Sequence, residues 1–193
     1  MKKLIVTIIL VILTATGVAF ILYLDVFNTA TPKITDTQQK SDEQNDLIEV
    51  DFSKINADFL FSATIDQKYR VQYLPELKAI NIYNPNIKNQ SNLENSVIYL
   101  SFFKADRFLT LNTVDISLAQ ETIVAGHDAV LYQITQKPSV NGFLGQPSWR
   151  KKTHKALDIR YLNEKPTYFY SFAYSPALSQ TEFDSIIDSL QFH

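Results

Sequence analysis

The segment Trp149-Arg150-Lys151-Lys152-Thr153-His154-Lys155, continued to Asp158 and Arg160, is the most uneven run of charge in a chain of formal net charge −2. Arg150, Lys151, Lys152, Lys155 and Arg160 are opposed there only by Asp158. Guanidinium and ammonium groups in such numbers suit phosphate or carboxylate recognition, and an indole beside them supplies an apolar anchor. Read as a strand, the segment puts Arg150, Lys152, His154, Asp158 and Arg160 on one face and turns Leu157, Ile159 and Tyr161 to a core. Two readings follow. Trp149, Arg150, Lys152, His154 and Arg160 form an anion-binding strip for lipid phosphates, a wall polymer or an acidic protein partner. Alternatively, the bases keep a strand edge solvated and guard it against unwanted pairing.

The connection Pro138 to Trp149 holds Gly142, Gly145, Phe143 and the only tryptophan of the chain. A long loop with apolar residues of its own is either a flap packed on the body or a binding loop, and here Phe143 and Trp149 decide between them.

Other chemistries find little support. The three histidines, His127, His154 and His193, show neither His-x-x-His nor His-Glu-x-x-His spacing. Ser148 or Ser171 could serve a hydrolase, but no Gly-x-Ser-x-Gly elbow accompanies them. The carboxylates Asp115, Glu121, Asp128 and Asp158 cannot be spaced finely enough from sequence to assign glycoside cleavage. Zero cysteines exclude a thiol nucleophile, a Cys-ligated zinc site, a lipidated N-terminal cysteine and disulfides. The expectation is a protein without catalytic residues, cofactor or metal, with a pocket pairing His154 and a carboxylate as the sign that would favour a hydrolase instead.

The elements that must position these residues are mostly strands. Phe59–Ile65, Tyr69–Leu74, Ala79–Tyr83 and Val97–Lys104 are rich in β-branched and aromatic residues, with a less clear segment at Phe108–Ile116. Glu121–Ala125 and Asp128–Gln136 flank a tight Gly126-His127 turn; Arg150–Leu162 and Thr167–Ser175 follow, the last aromatic on both faces and so expected at the centre of a sheet. A helix closes the chain. Ser179 and Glu182 have capping-box spacing, Leu178 and Phe183 that of a hydrophobic staple, and Phe183, Ile186, Ile187 and Leu190 make one apolar stripe. The fold class is α+β, an antiparallel sheet packed by helices including this amphipathic one.

Before the domain, Leu4 to Leu24 is an uncharged run of 21 residues behind Lys2-Lys3. At about 1.5 Å per residue it spans roughly 30 Å, a bilayer's hydrocarbon core. It reads as a transmembrane signal anchor with residues 1–3 cytoplasmic and the remainder extracytoplasmic at the plasma membrane. Cleavage after Ala15-Thr16-Gly17, giving a secreted product, is the alternative. Residues 25–48 are polar and read as a flexible linker; 49–193 form one domain. The partners expected are the lipid bilayer through residues 4–24 and an anionic envelope component or protein, while the net charge argues against nucleic acid.

Phe61–Tyr73, Ile123–Tyr132 and Phe183–Phe192 resemble the PsbP-like fold. Ala79-Ile80-Asn81-Ile82-Tyr83-Asn84-Pro85 and Gln146-Pro147-Ser148-Trp149-Arg150 resemble a group of uncharacterised, membrane-anchored bacterial proteins with such a domain outside the membrane. The resemblance covers roughly residues 59–192 and implies an antiparallel sheet sandwiched by helices. It carries no catalytic residue or ligand set onto this chain. The reading is a membrane-anchored, non-enzymatic domain that binds a partner or ligand at the cell envelope, with an envelope hydrolase or a structural assembly subunit as alternatives.

Overall fold

The computed structural model describes residues 46–88, 90–108, 112–141, 143–162 and 167–193. The run 4–24 and most of the linker lie outside these residues. No helix among the described residues is long and apolar enough to cross a membrane.

Among the described residues, ten strands and one α-helix follow in chain order: β1 (Leu47–Asp51), β2 (Phe61–Asp66), β3 (Arg70–Leu74), β4 (Ala79–Tyr83), β5 (Ser96–Ala105), β6 (Val114–Val124), β7 (His127–Gln136), β8 (His154–Leu162), β9 (Thr167–Tyr174), α1 (Gln180–Asp188) and β10 (Gln191–Phe192). Seven strands form one sheet in the order β3-β4-β5-β9-β8-β7-β6, and β1-β2-β10 form a second. Every pairing is antiparallel. The aromatic strand β9 takes the middle of the large sheet, where both of its faces are covered. Leu47 and Ile48, read from sequence as the end of the linker, instead open β1.

The two faces of the large sheet do different work. One carries Ile80, Ile82, Ile98, Leu100, Leu157, Ile159, Tyr170 and Phe172 against the small sheet and α1. Phe61 of β2 is fully enclosed there, its ring 5.0 Å from Tyr170 and 5.7 Å from Phe172. Burying such a ring contributes about 1.5–3 kcal/mol. The Tyr170 hydroxyl crosses the interface, donating to Asp58 O at 2.9 Å and accepting from the Leu60 N–H at 3.0 Å.

Helix α1 begins as its local sequence dictates. Ser179 Oγ accepts from the Glu182 N–H and the Glu182 carboxylate accepts from the Ser179 N–H, each at 3.2 Å, so two otherwise orphaned donors are satisfied. Phe183, Ile186 and Ile187 point into the core, and Phe183 stacks on Tyr174 with ring centroids 3.8 Å apart. The opposite face of the sheet carries no α-helix among the described residues. A smaller core of Tyr99, Val130, Tyr132, Ile134, Ala156 and Ala173 is closed there by Phe143 and Trp149 of the β7–β8 connection. A loop stands where the resemblance implied a helical layer.

The β6–β7 turn lies one residue earlier than the Gly126-His127 reading. Ala125 (φ +46°) and Gly126 (φ +83°) are its two central residues, and His127 already pairs with Val124. Two consecutive left-handed residues make a type I′ turn, whose twist matches that of the strands it joins.

Candidate functional site

The basic segment does not form a continuous strip. Ser148–Lys151 is a single 3-10 turn and β8 starts only at His154, so Arg150 and Lys152 stand outside the strand on which alternation placed them. Trp149 is 9% exposed, and its indole N–H donates to Ser96 O at 3.0 Å. With Phe143 also buried, the connection is a packed flap, and neither Trp149 nor Arg150 offers an exposed anchor. Lys151, Lys152 and Thr153 are exposed; Lys155 donates to Gln180 Oε1 at 2.8 Å. His154, Asp158 and Arg160 do share the face that alternation assigns them, but the flap covers His154 and Asp158.

Beneath the flap lies a buried polar network. The Arg150 guanidinium stacks over the rings of Phe143 (4.5 Å) and Tyr99 (5.1 Å). Tyr132 donates its phenolic proton to Asp158 Oδ2 at 2.5 Å. Asp158 is 2% exposed, and burial pushes its carboxyl up to about 6 although Tyr132, Ser171 and the charge of Arg150 all pull it down. Burial likewise lowers Arg150 to about 10, still charged at neutral pH, and raises Tyr132.

His154 is held differently. Its Nδ1 lies 2.8 Å from Lys152 O, and since a carbonyl only accepts, the proton sits on Nδ1 and the lone pair on Nε2. Burial lowers this imidazole to about 4; the Lys152 carbonyl opposes the fall and the charge of Arg150 deepens it. The groove that His154 lines with Gln133, Thr153, Lys155, Tyr174, Pro176, Leu178 and Gln180 has no carboxylate among the described residues. Ser148 Oγ donates to Glu94 at 2.5 Å, not to a histidine. No group of three or more His, Asp or Glu side chains among the described residues could hold a metal ion.

The β6 edge of the large sheet is open. Strand β6 is eleven residues long, and only its end residues Val114 and Val124 are buried. Its inner side pairs with β7, and no strand pairs with its outer side among the described residues. The type I′ turn makes Val124 and His127 a hydrogen-bonded pair, and such pairs alternate along an antiparallel ladder. Ala119, Glu121 and Ile123 therefore aim their backbone N–H and C=O groups outward. The same three residues place their side chains on the flap face, because their partners Tyr132, Val130 and Asp128 lie there.

Behind that edge runs a groove of about 410 Å³ lined by Phe108, Glu121, Thr122, Ile123, Asp128, Ala129, Val130 and Arg160. Arg160 lies 4.7 Å from the Phe108 ring and donates to Asp128 Oδ2 at 3.3 Å, a long bond that leaves the Asp128 side chain 62% exposed. The sequence points to Arg160 among the bases and to Glu121 and Asp128 among the carboxylates, but not to Ile123 or to their meeting in one groove. The usable signal was an absence: Val114 to Gln136 contains no Lys or Arg, while carrying Asp115, Glu121 and Asp128.

No family model matches this chain, and no curated protein matches it. A crystal structure from Bacteroides thetaiotaomicron VPI-5482 is similar at a TM-score of 0.30 and 10% identity, over 75% of this chain and 48% of that one. The chain spans about half the length of that protein.

Proposed function

We propose that this is a membrane-tethered, extracytoplasmic, non-enzymatic binding domain of PsbP-like architecture that takes an extended partner segment onto the free edge of β6. The observation that carries this reading is the strand itself: long, paired on one side, and exposed between its two terminal valines. Edge strands are ordinarily blunted by lysine, proline or short length. β6 has a bulge near Ser117 and a single charge at Glu121, but from Leu118 to Val124 it has no lysine or proline. An added strand gains affinity from main-chain hydrogen bonds and specificity from the side chains beside them. The tether rests on residues 4–24 and their flanking lysines.

The test places a photo-crosslinking side chain at Ile123 of the full chain in its native membrane, with a control at Val71 in β3. A covalent adduct is expected at 123 and not at 71. Glu121→Pro removes one outward N–H without touching the ladder to β7, so it should abolish the adduct and leave the thermal midpoint unchanged. An adduct that survives Glu121→Pro, or none at 123, refutes strand addition. An adduct of twice the chain's mass would make the domain an assembly subunit instead.

A further inference from the structure

We infer that the partner segment is basic, and that the groove behind β6 receives one of its Lys or Arg side chains; this rests on the strand-addition reading above. The first ground is charge. The hairpin from Val114 to Gln136 carries three carboxylates and no Lys or Arg, so its open edge repels acidic segments and a second copy of itself. The second ground is position. A residue paired with Glu121 on an added strand projects its side chain on the same face as Glu121, the face on which the groove lies.

The third ground is the groove's own chemistry. Ile123, Val130 and Phe108 give an apolar floor for an aliphatic stem, and the Phe108 ring faces a cation already in the form of Arg160. Glu121 forms no salt bridge among the described residues. Asp128 gives only one oxygen to Arg160, at 3.3 Å. Two largely exposed carboxylates thus remain for an incoming ammonium or guanidinium. Among the described residues Arg160 is the one positive group lining the groove, its guanidinium carbon 4.7 and 5.9 Å from the ring centres of Phe108 and Phe169.

The probes are fluorescein-labelled nine-residue peptides of alternating Thr and Val with Lys, Leu or Glu at the centre, titrated by anisotropy against the full chain in nonionic detergent. A fourth peptide, the Lys form N-methylated at alternate residues, cannot complete the ladder. The Lys peptide should bind about tenfold tighter than the Glu peptide at low salt, since both carboxylates attract an incoming cation and repel an incoming carboxylate. Glu121→Gln combined with Asp128→Asn should shrink that preference to about threefold or less, and N-methylation should remove binding altogether. Equal binding of the Lys, Leu and Glu peptides overturns the basic preference while strand addition stands. Tight binding of the N-methylated peptide, or binding of none of the four, overturns strand addition itself.

Discussion

Asp158 and His154 titrate in opposite senses within one pH window, and separating them is a sharp test of the buried network. In the folded state Asp158 keeps its proton up to about pH 6, against an ordinary value of 3.8. Between those values the unfolded chain has lost a proton that the folded chain retains, so Asp158 makes stability fall as pH rises. His154 has its folded value near 4 and its ordinary value at 6.5. Across that range the unfolded chain holds a proton that the folded chain has shed, so His154 makes stability rise with pH. At about 1.4 kcal/mol per pH unit of displacement each effect amounts to roughly 3 kcal/mol, and in the native chain the two nearly cancel between pH 4 and 6. Asp158→Asn should expose the rising limb, a gain of about 3 kcal/mol from pH 4 to 6.5. His154→Gln should expose the falling limb, a loss of about 3 kcal/mol from pH 4 to 6. Urea unfolding of the full chain in nonionic detergent at four pH values, followed by the fluorescence of Trp149, measures both slopes, which are compared with the native chain rather than read as absolute stabilities. If both variants keep the native pH profile, neither group is as deeply desolvated as its burial requires.

Trp149→Ala should cost about 3–5 kcal/mol by urea unfolding, because the flap loses its buried ring and Ser96 O loses its donor. Followed by circular dichroism, a cost below about 1 kcal/mol would mean that the flap is loosely seated. Ser179→Ala should cost about 1 kcal/mol through loss of the cap of α1, and hydrogen exchange should show the first-turn amides of that helix opening first.

What the sequence disclosed follows the range of the interactions involved. The cap and stripe of α1 are set by residues within one or two turns; the capping box is found in place, and Phe183, Ile186, Ile187 and Leu190 are buried. The central position of β9 was legible because few other sites accommodate aromatic rings on both faces of a strand. Arg150 misled because counting bases is local, whereas its burial depends on Tyr99, which is brought under the flap by sheet pairing. Nothing in a two-residue strand such as β10 announces itself either. Gln191 and Phe192 are drawn into a sheet by Ser62 and Phe61, more than a hundred residues earlier. The carboxylate-lined groove was invisible for the same reason, since Phe108, Glu121, Asp128 and Arg160 converge only after three hairpin pairings.

Strand β6 is secured by its ladder far more than by burial, whereas its neighbour β7 buries Ala129, Val130, Tyr132 and Ile134. Peeling the outer strand away would bare a greasier seam than the one now on display. The hairpin thus acts as a sacrificial hem. In mild denaturant, well below the global midpoint, clumping should begin at that seam, and a clasp tying β6 to β7 should delay it more than it raises the melting temperature.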